Sequence, residues 1–228
     1  SEICRSLARA GRRVVAADLG NDDARVARFR DTLGELAARV TFEKVDVGDF
    51  DSCADLVRRI GPVDILVNAA GITRDVTLRK MSMQQWTDVL HVNLDSVFHM
   101  CRHVVDSMCD RAFGRIVNIS SVNGQTGQFG QTNYSAAKAG IHGFTMALAR
   151  EVARKGVTVN SVSPGYCRTT MIDTIPENVR NEIVAKIPVG RLCEPAEIAR
   201  VVDFLTADDA GYITGANVPV NGGYFMDF

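Results

Sequence analysis

Short runs rich in Val and Ile punctuate this chain at Arg13–Ala17, Val40–Val45, Val63–Val67, Arg115–Ile119 and Val157–Val162, and the segments between them carry helical periodicity. Strands that alternate with helices pair in parallel, because each crossover returns the chain to the same end of the sheet. The runs are apolar on both faces, as buried parallel strands must be when helices cover both sides. The fold class expected is therefore α/β, a doubly wound parallel sheet flanked by helices on both faces. At 228 residues and 46% hydrophobic composition the chain can bury one sizeable core, and no linker or repeat divides it, so residues 1–228 read as a single domain.

Ser1 to Ala10 places Ile3, Leu7 and Ala8 on one helical face, and Gly11 follows as a stop. In a doubly wound (Rossmann) sheet a strand comes before such a helix, then a glycine-rich turn that receives a pyrophosphate at the helix N-terminus. The given sequence contains neither, so the reading expects roughly 15–20 further residues in front of it. A parallel sheet without that central strand would leave two strand edges unpaired.

With 26 basic and 27 acidic side chains the formal net charge is −1, so no overall field draws the chain to nucleic acid or anionic lipid. Cys4, Cys53, Cys101, Cys109, Cys167 and Cys193 show no CxxC pair, which suits reduced thiols and argues against a metal cage. No apolar run approaches the roughly 20 residues of a membrane span, and no signal-peptide pattern opens the sequence. A soluble, cytoplasmic protein with no membrane or nucleic-acid partner is expected. His99 and His103 share a helix face but lack a third ligand nearby in sequence, so no metal is assigned.

Asp18 closes the first strand, where an acidic residue accepts from the adenosine ribose hydroxyls of a dinucleotide and repels a 2′-phosphate. NAD(H) is the preferred cofactor on that ground, with NADP(H) left open because Arg12 or Arg13 could neutralise the phosphate. Asp46 and Val47 follow the second strand at its carboxyl end, the ligand-binding edge of open α/β sheets, within reach of an adenine. Asn68-Ala69-Ala70-Gly71 follows the third strand, and its small residues let backbone approach a flat cofactor.

Tyr134 and Lys138, four apart, share one helix face, and Ser121 follows the strand Arg115–Ile119 at the same carboxyl edge. A phenol with an ordinary pKa near 10 exchanges protons more easily beside a cation, which Lys138 supplies. The Ser121 hydroxyl can hold a substrate oxygen while Tyr134 protonates it as hydride reaches carbon.

Through Asn68-Ala69-Ala70-Gly71, Asn93, Ser121, Tyr134-x-x-x-Lys138 and Pro164-Gly165 the chain resembles the short-chain dehydrogenase/reductase family. The resemblance implies that Lys138 also binds the nicotinamide ribose. It implies too that Asn93 positions a relay water, and that the backbone after Pro164-Gly165, with Thr169, holds the carboxamide. Within the family, Gly127 through Tyr134, Gly165-Tyr166, Gly71 through Asp75 and Arg79-Lys80-Met81 look like acetoacetyl-CoA reductases of polyhydroxybutyrate synthesis. That likeness implies an acyl-CoA thioester substrate, with Gln128, Phe129, Gln131 and Tyr166 lining the acetoacetyl pocket and Asp75 and Lys80 near the CoA arm. Cys167-Arg168 departs from the Ile-Ala expected there. The nearest rival activity is reduction of 3-oxoacyl groups on acyl carrier protein; a non-catalytic dinucleotide-binding scaffold is a rival of another class. Apolar residues on more than one helix face (Leu90, Val97, Met100, Val104; Ile141, Phe144, Met146, Leu148) suggest subunit contact, and the resemblance implies a homotetramer that also uses Ala216–Phe228.

Overall fold

In a computed structural model that describes residues 2–169 and 176–226, the strands and helices alternate as the sequence leads one to expect. The order is α1 (Glu2–Arg9), β1 (Val14–Asp18), α2 (Asp23–Asp31), β2 (Val40–Lys44), α3 (Phe50–Ile60), β3 (Ile65–Asn68) and α4 (Met83–Leu90). A π-helical turn, His91–Asp95, joins α4 to α5 (Ser96–Asp110). Then come β4 (Gly114–Ile119), α6 (Asn123–Thr126), α7 (Thr132–Val152), β5 (Val157–Pro164), α8 (Glu177–Ala185), α9 (Pro195–Thr206) and β6 (Asn217–Val220).

Helix starts follow side-chain capping. Asp49 accepts from the Ser52 N–H at the head of α3, and Ser82 with Gln85 forms a capping box on α4, giving amides without a helical partner an acceptor. Pro195 opens α9, where a fixed φ suits the first turn and no N–H is wasted.

All pairing is parallel: β1 with β2, and β3, β4, β5 and β6 in that order. Among the described residues β1 pairs only with β2 and β3 only with β4, so the strands fall into a two-stranded and a four-stranded group. Alternation along β4 and β5 sends neighbours to opposite layers. Ile116, Val157 and Val159 pack with Leu56, Val104, Met108 and Ile141 beneath α3, α5 and α7. Val117 and Val162 pack with Ile198, Val202 and Leu205 of α9 on the other face, which Ile3 of α1 joins. Both faces of the sheet are therefore covered.

One expectation is corrected, and one segment gains a structure. Val97, Met100, Val104 and Ile141, read as surplus apolar residues, are buried in that core, and Phe144 and Leu148 pack against it. Met146 remains exposed, as do Phe98 and Phe50, whose rings stack 6.0 Å apart. Asn217–Val220, read only as part of an interface segment, is the edge strand β6; the last two residues of that segment lie outside the described ones. No helix among the described residues is long and apolar enough to cross a membrane.

Candidate active site

Lys138 is the group that everything else surrounds. It sits on α7, only 4% exposed, and its Nζ donates to the Ile119 carbonyl at the end of β4 at 2.9 Å. Burial lowers its pKa to about 8. Tyr134, one turn earlier, sets its ring face toward that ammonium, 5.7 Å from Nζ to the ring centroid. Ser121 stands near enough to the Tyr134 hydroxyl to influence its titration, and Ser121 Oγ accepts from the Asn123 N–H at 3.2 Å. A tight seam holds the two halves together: a Cβ on Gly124 would lie 2.8 Å from the Lys138 carbonyl carbon.

The phenol does not titrate as expected. Burial raises the Tyr134 pKa above 10.0, the neighbouring Ser121 hydroxyl pulls against that rise, and the Asp75 charge adds to it. Desolvation is the largest cause, and the Lys138 ammonium, set toward the ring face and donating to Ile119, does not reverse the rise. Tyr134 consequently holds its proton at neutral pH, the state a general acid needs.

Asn93, fully buried in the π turn, donates from Nδ2 to the carbonyls of Ile72 at 2.9 Å and Val89 at 2.7 Å, and its Oδ1 accepts from the Ile72 N–H at 3.2 Å. The amide thereby fixes the loop after β3. Gly71 is needed there, since a Cβ would fall 2.6 Å from Asn93 Oδ1 and 3.6 Å from Lys138 Nζ. Asn68 is held lower down, donating to Asn118 Oδ1 at 2.9 Å, while Ala69 and Ala70 are exposed.

Beside the Tyr134 turn Gln131 joins three segments: its Nε2 donates to Asp75 at 2.7 Å and its Oε1 accepts from Asn123 at 2.9 Å. Gln128, Phe129 and Lys80 stand exposed, Phe129 at 87%, so these rim residues are not packed into a closed pocket. Tyr166 lines a cavity of about 120 Å³ with Ile187, Arg191 and Asn221, and its ring meets Tyr224 edge-on at 5.4 Å. Desolvation and Tyr224 push its pKa up to about 12. Pro164 ends β5, Gly165 packs against the Asn221 backbone, and Thr169 is exposed beyond them.

Asp18 ends β1, accepts from the Gly20 N–H at 3.2 Å and forms an ion pair with Arg25. Arg12 is instead paired with Asp208 at 2.7 Å. Asp46 accepts from the Gly48 N–H at 2.9 Å, a turn-forming contact that leaves the residue exposed, and His99 Nδ1 lies 3.0 Å from the Val47 carbonyl. Asn123 and Asn133 were missed by sequence reasoning. Buried Asn133 accepts from the Tyr134 N–H at 2.8 Å and donates to the Gln85 carbonyl at 3.0 Å, pinning the Tyr134 turn to α4. Nothing in the sequence marks either amide.

A dinucleotide fits these groups. One protein acceptor meets the three protons of the buried Lys138 ammonium, leaving donors for ribose hydroxyls, and the adjoining Ala69-Ala70 backbone is open. Fold and site together define an α/β oxidoreductase acting at a carbonyl or alcohol. A family model described as enoyl-(acyl carrier protein) reductase matches residues 1–225. The chain is 52% identical over 230 residues to an acetoacetyl-CoA reductase of Allochromatium vinosum, covering 99% of this chain and 94% of that protein. It is 51% identical over 228 residues to an acetoacetyl-CoA reductase of Cupriavidus necator, covering 98% and 92%. To a 3-oxoacyl-[acyl-carrier-protein] reductase of Haemophilus influenzae it is 47% identical over 186 residues, covering 80% and 77%. The chain belongs to the short-chain dehydrogenase/reductase family, whose oxidoreductases use a nicotinamide cofactor.

Proposed function

We propose that this enzyme reduces acetoacetyl-CoA to (R)-3-hydroxybutyryl-CoA. The observation that carries the reading is Tyr134 set against the buried Lys138 with Ser121 beside its hydroxyl, in a chain about half identical to acetoacetyl-CoA reductases along nearly its whole length. The substrate's 3-oxo oxygen sits between the Ser121 and Tyr134 hydroxyls. The chemistry supplied by a bound nicotinamide is hydride delivery to the carbonyl carbon. Tyr134 gives its proton to the oxygen as charge develops there, and Ser121 holds that oxygen by a hydrogen bond. Lys138 binds the nicotinamide ribose and, through its charge, stabilises the phenolate left behind. Asn93 orders the Gly71–Ile72 loop and the water that returns a proton. Asp46, Val47, Asn68 and the backbone of Ala69, Gly71, Pro164 and Gly165, with Thr169, hold the rest of the cofactor.

NADH is the preferred form, because the Asp18 carboxylate accepts from both adenosine ribose hydroxyls and opposes a 2′-phosphate. Gln131 and Asp75, tied to each other, orient the acyl arm, with Gln128, Phe129 and Tyr166 on its flanks and Lys80 toward the CoA phosphates. The working unit is a cytoplasmic homotetramer. A second reading, reduction of 3-oxoacyl-acyl carrier protein, is favoured by the Haemophilus influenzae relative. Side-by-side kinetics on acetoacetyl-CoA and acetoacetyl-acyl carrier protein separate the two: higher kcat/KM on the CoA thioester is expected, and preference for the carrier protein overturns the first reading.

A further inference from the structure

Cys167 and Cys193 face each other just beyond the cofactor edge of β5. They are Cα partners in an isolated parallel bridge. The Cys193 N–H donates to the Tyr166 carbonyl at 2.9 Å and the Arg168 N–H donates to the Cys193 carbonyl at 2.8 Å, so the backbone is clamped on both sides of the pair. Directly opposed residues of a parallel pair project from the same face, and such segments lie roughly 4.8 Å apart. That falls inside the ~4.4–6.8 Å of Cα separation a disulfide spans. Both side chains pack against the Val117, Val162 and Ile198 cluster. Cys193 also lines the cavity of about 120 Å³ beside Tyr166 and Arg191, several times the room a water-sized molecule needs.

We propose that Cys167 and Cys193 form a redox site that a hydroperoxide closes reversibly into an intramolecular disulfide. The Cys167 thiolate attacks a peroxide oxygen; the S–O bond forms, the O–O bond breaks and hydroxide leaves, so sulfur is oxidised and peroxide reduced. Cys193 gives up its proton and attacks the sulfenic sulfur. The S–S bond forms, the S–O bond breaks and water departs, and two thiols and one hydrogen peroxide become one disulfide and two waters. The order of attack follows from the thiols: the influence of each on the other lowers the pKa of Cys167 and raises that of Cys193, while burial raises Cys4, Cys53, Cys101 and Cys109. The cross-link anchors the backbone next to Tyr166, so on the proposed reading of Tyr166 as a pocket residue it slows turnover.

Purified full-length protein treated with hydrogen peroxide, quenched by alkylation and mapped by non-reducing mass spectrometry tests the site. Two of the six thiols should be lost into a Cys167–Cys193 linked peptide that dithiothreitol reopens. In Cys193→Ser the link should vanish and a dimedone-trapped sulfenic acid should appear on Cys167. No linked peptide, or equal thiol loss in a Cys167→Ser/Cys193→Ser double variant, overturns the proposal. Acetoacetyl-CoA reduction should fall on oxidation and recover with dithiothreitol; a formed disulfide with unchanged turnover overturns the coupling to the pocket. The mapping result stands apart from the substrate assignment.

Discussion

Lys138 pays in stability for its place in the site. Its folded pKa of about 8 lies below the ordinary 10.5 because burial penalises the ammonium. Between those values the unfolded chain binds more protons than the folded one, so stability rises with pH across that window, and below about 8 the penalty is fully in force. The gap corresponds to on the order of 3 kcal/mol. Lys138→Met should therefore be inactive yet more stable than wild type at pH 7, and the difference should shrink as pH rises from about 8 to 10.5. Urea unfolding at several pH values checks this; curves that stay parallel would exclude it. At the proposed cofactor edge the paired Asp18 and Arg25 would pull in opposite directions. Asp18→Ala should lower kcat/KM for NADH and raise it for NADPH, whereas Arg25→Ala should leave Asp18 unneutralised and sharpen the NADH preference. Steady-state kinetics with both cofactors decides, and a wild type that strongly favours NADPH refutes the role given to Asp18.

At the scale of elements, the site depends on how closely α6 lies on α7. A Cβ at Gly124 would meet backbone atoms of Lys138 at 2.8 Å and of Ala139 at 2.9 Å, which cannot rotate aside. Gly124→Ala should cost about 1–3 kcal/mol in stability and reduce turnover further than that, because it separates Ser121 from Lys138. Thermal melts with kcat on the same samples test it; a normal kcat in a folded variant would show the seam to be unimportant. The strands β1 to β5 were legible because buried parallel strands must be apolar on both faces, a pattern that survives reading without coordinates. β6 was not, since Asn217–Val220 is short, contains Pro219 and is stabilised by pairing with β5 rather than by its own residues. The π turn around Asn93 was equally hidden, because a one-residue change of helical register leaves no mark in periodicity.

For the whole molecule, the proposed catalytic residues could be named where chemistry restricts residue type, as with Ser121, Tyr134 and Lys138. The supports Asn123 and Asn133 were not, because an amide's partners are set by tertiary contacts such as Gln131 and Gln85. Helix faces were overread for the same reason: apolar residues on α5 and α7 that suggested an interface are mostly spent on the sheet. What remains outside is Phe98, stacked on Phe50, and Met146. If the proposed homotetramer uses this face, Phe98→Asp should weaken it, seen as smaller species in sedimentation velocity with secondary structure retained. An unchanged sedimentation coefficient would place the interface elsewhere.

The most direct measurement follows nicotinamide oxidation by full-length enzyme with acetoacetyl-CoA, comparing wild type with Tyr134→Phe while cofactor binding is measured separately. Wild type should turn over the thioester. The variant should keep its cofactor affinity, because the ring still packs, and lose on the order of 10²–10⁴ in kcat with the proton donor gone. Turnover by Tyr134→Phe close to that of wild type, or a wild type inert toward acetoacetyl-CoA with cofactor bound, would contradict the mechanism in the first case and the substrate in the second.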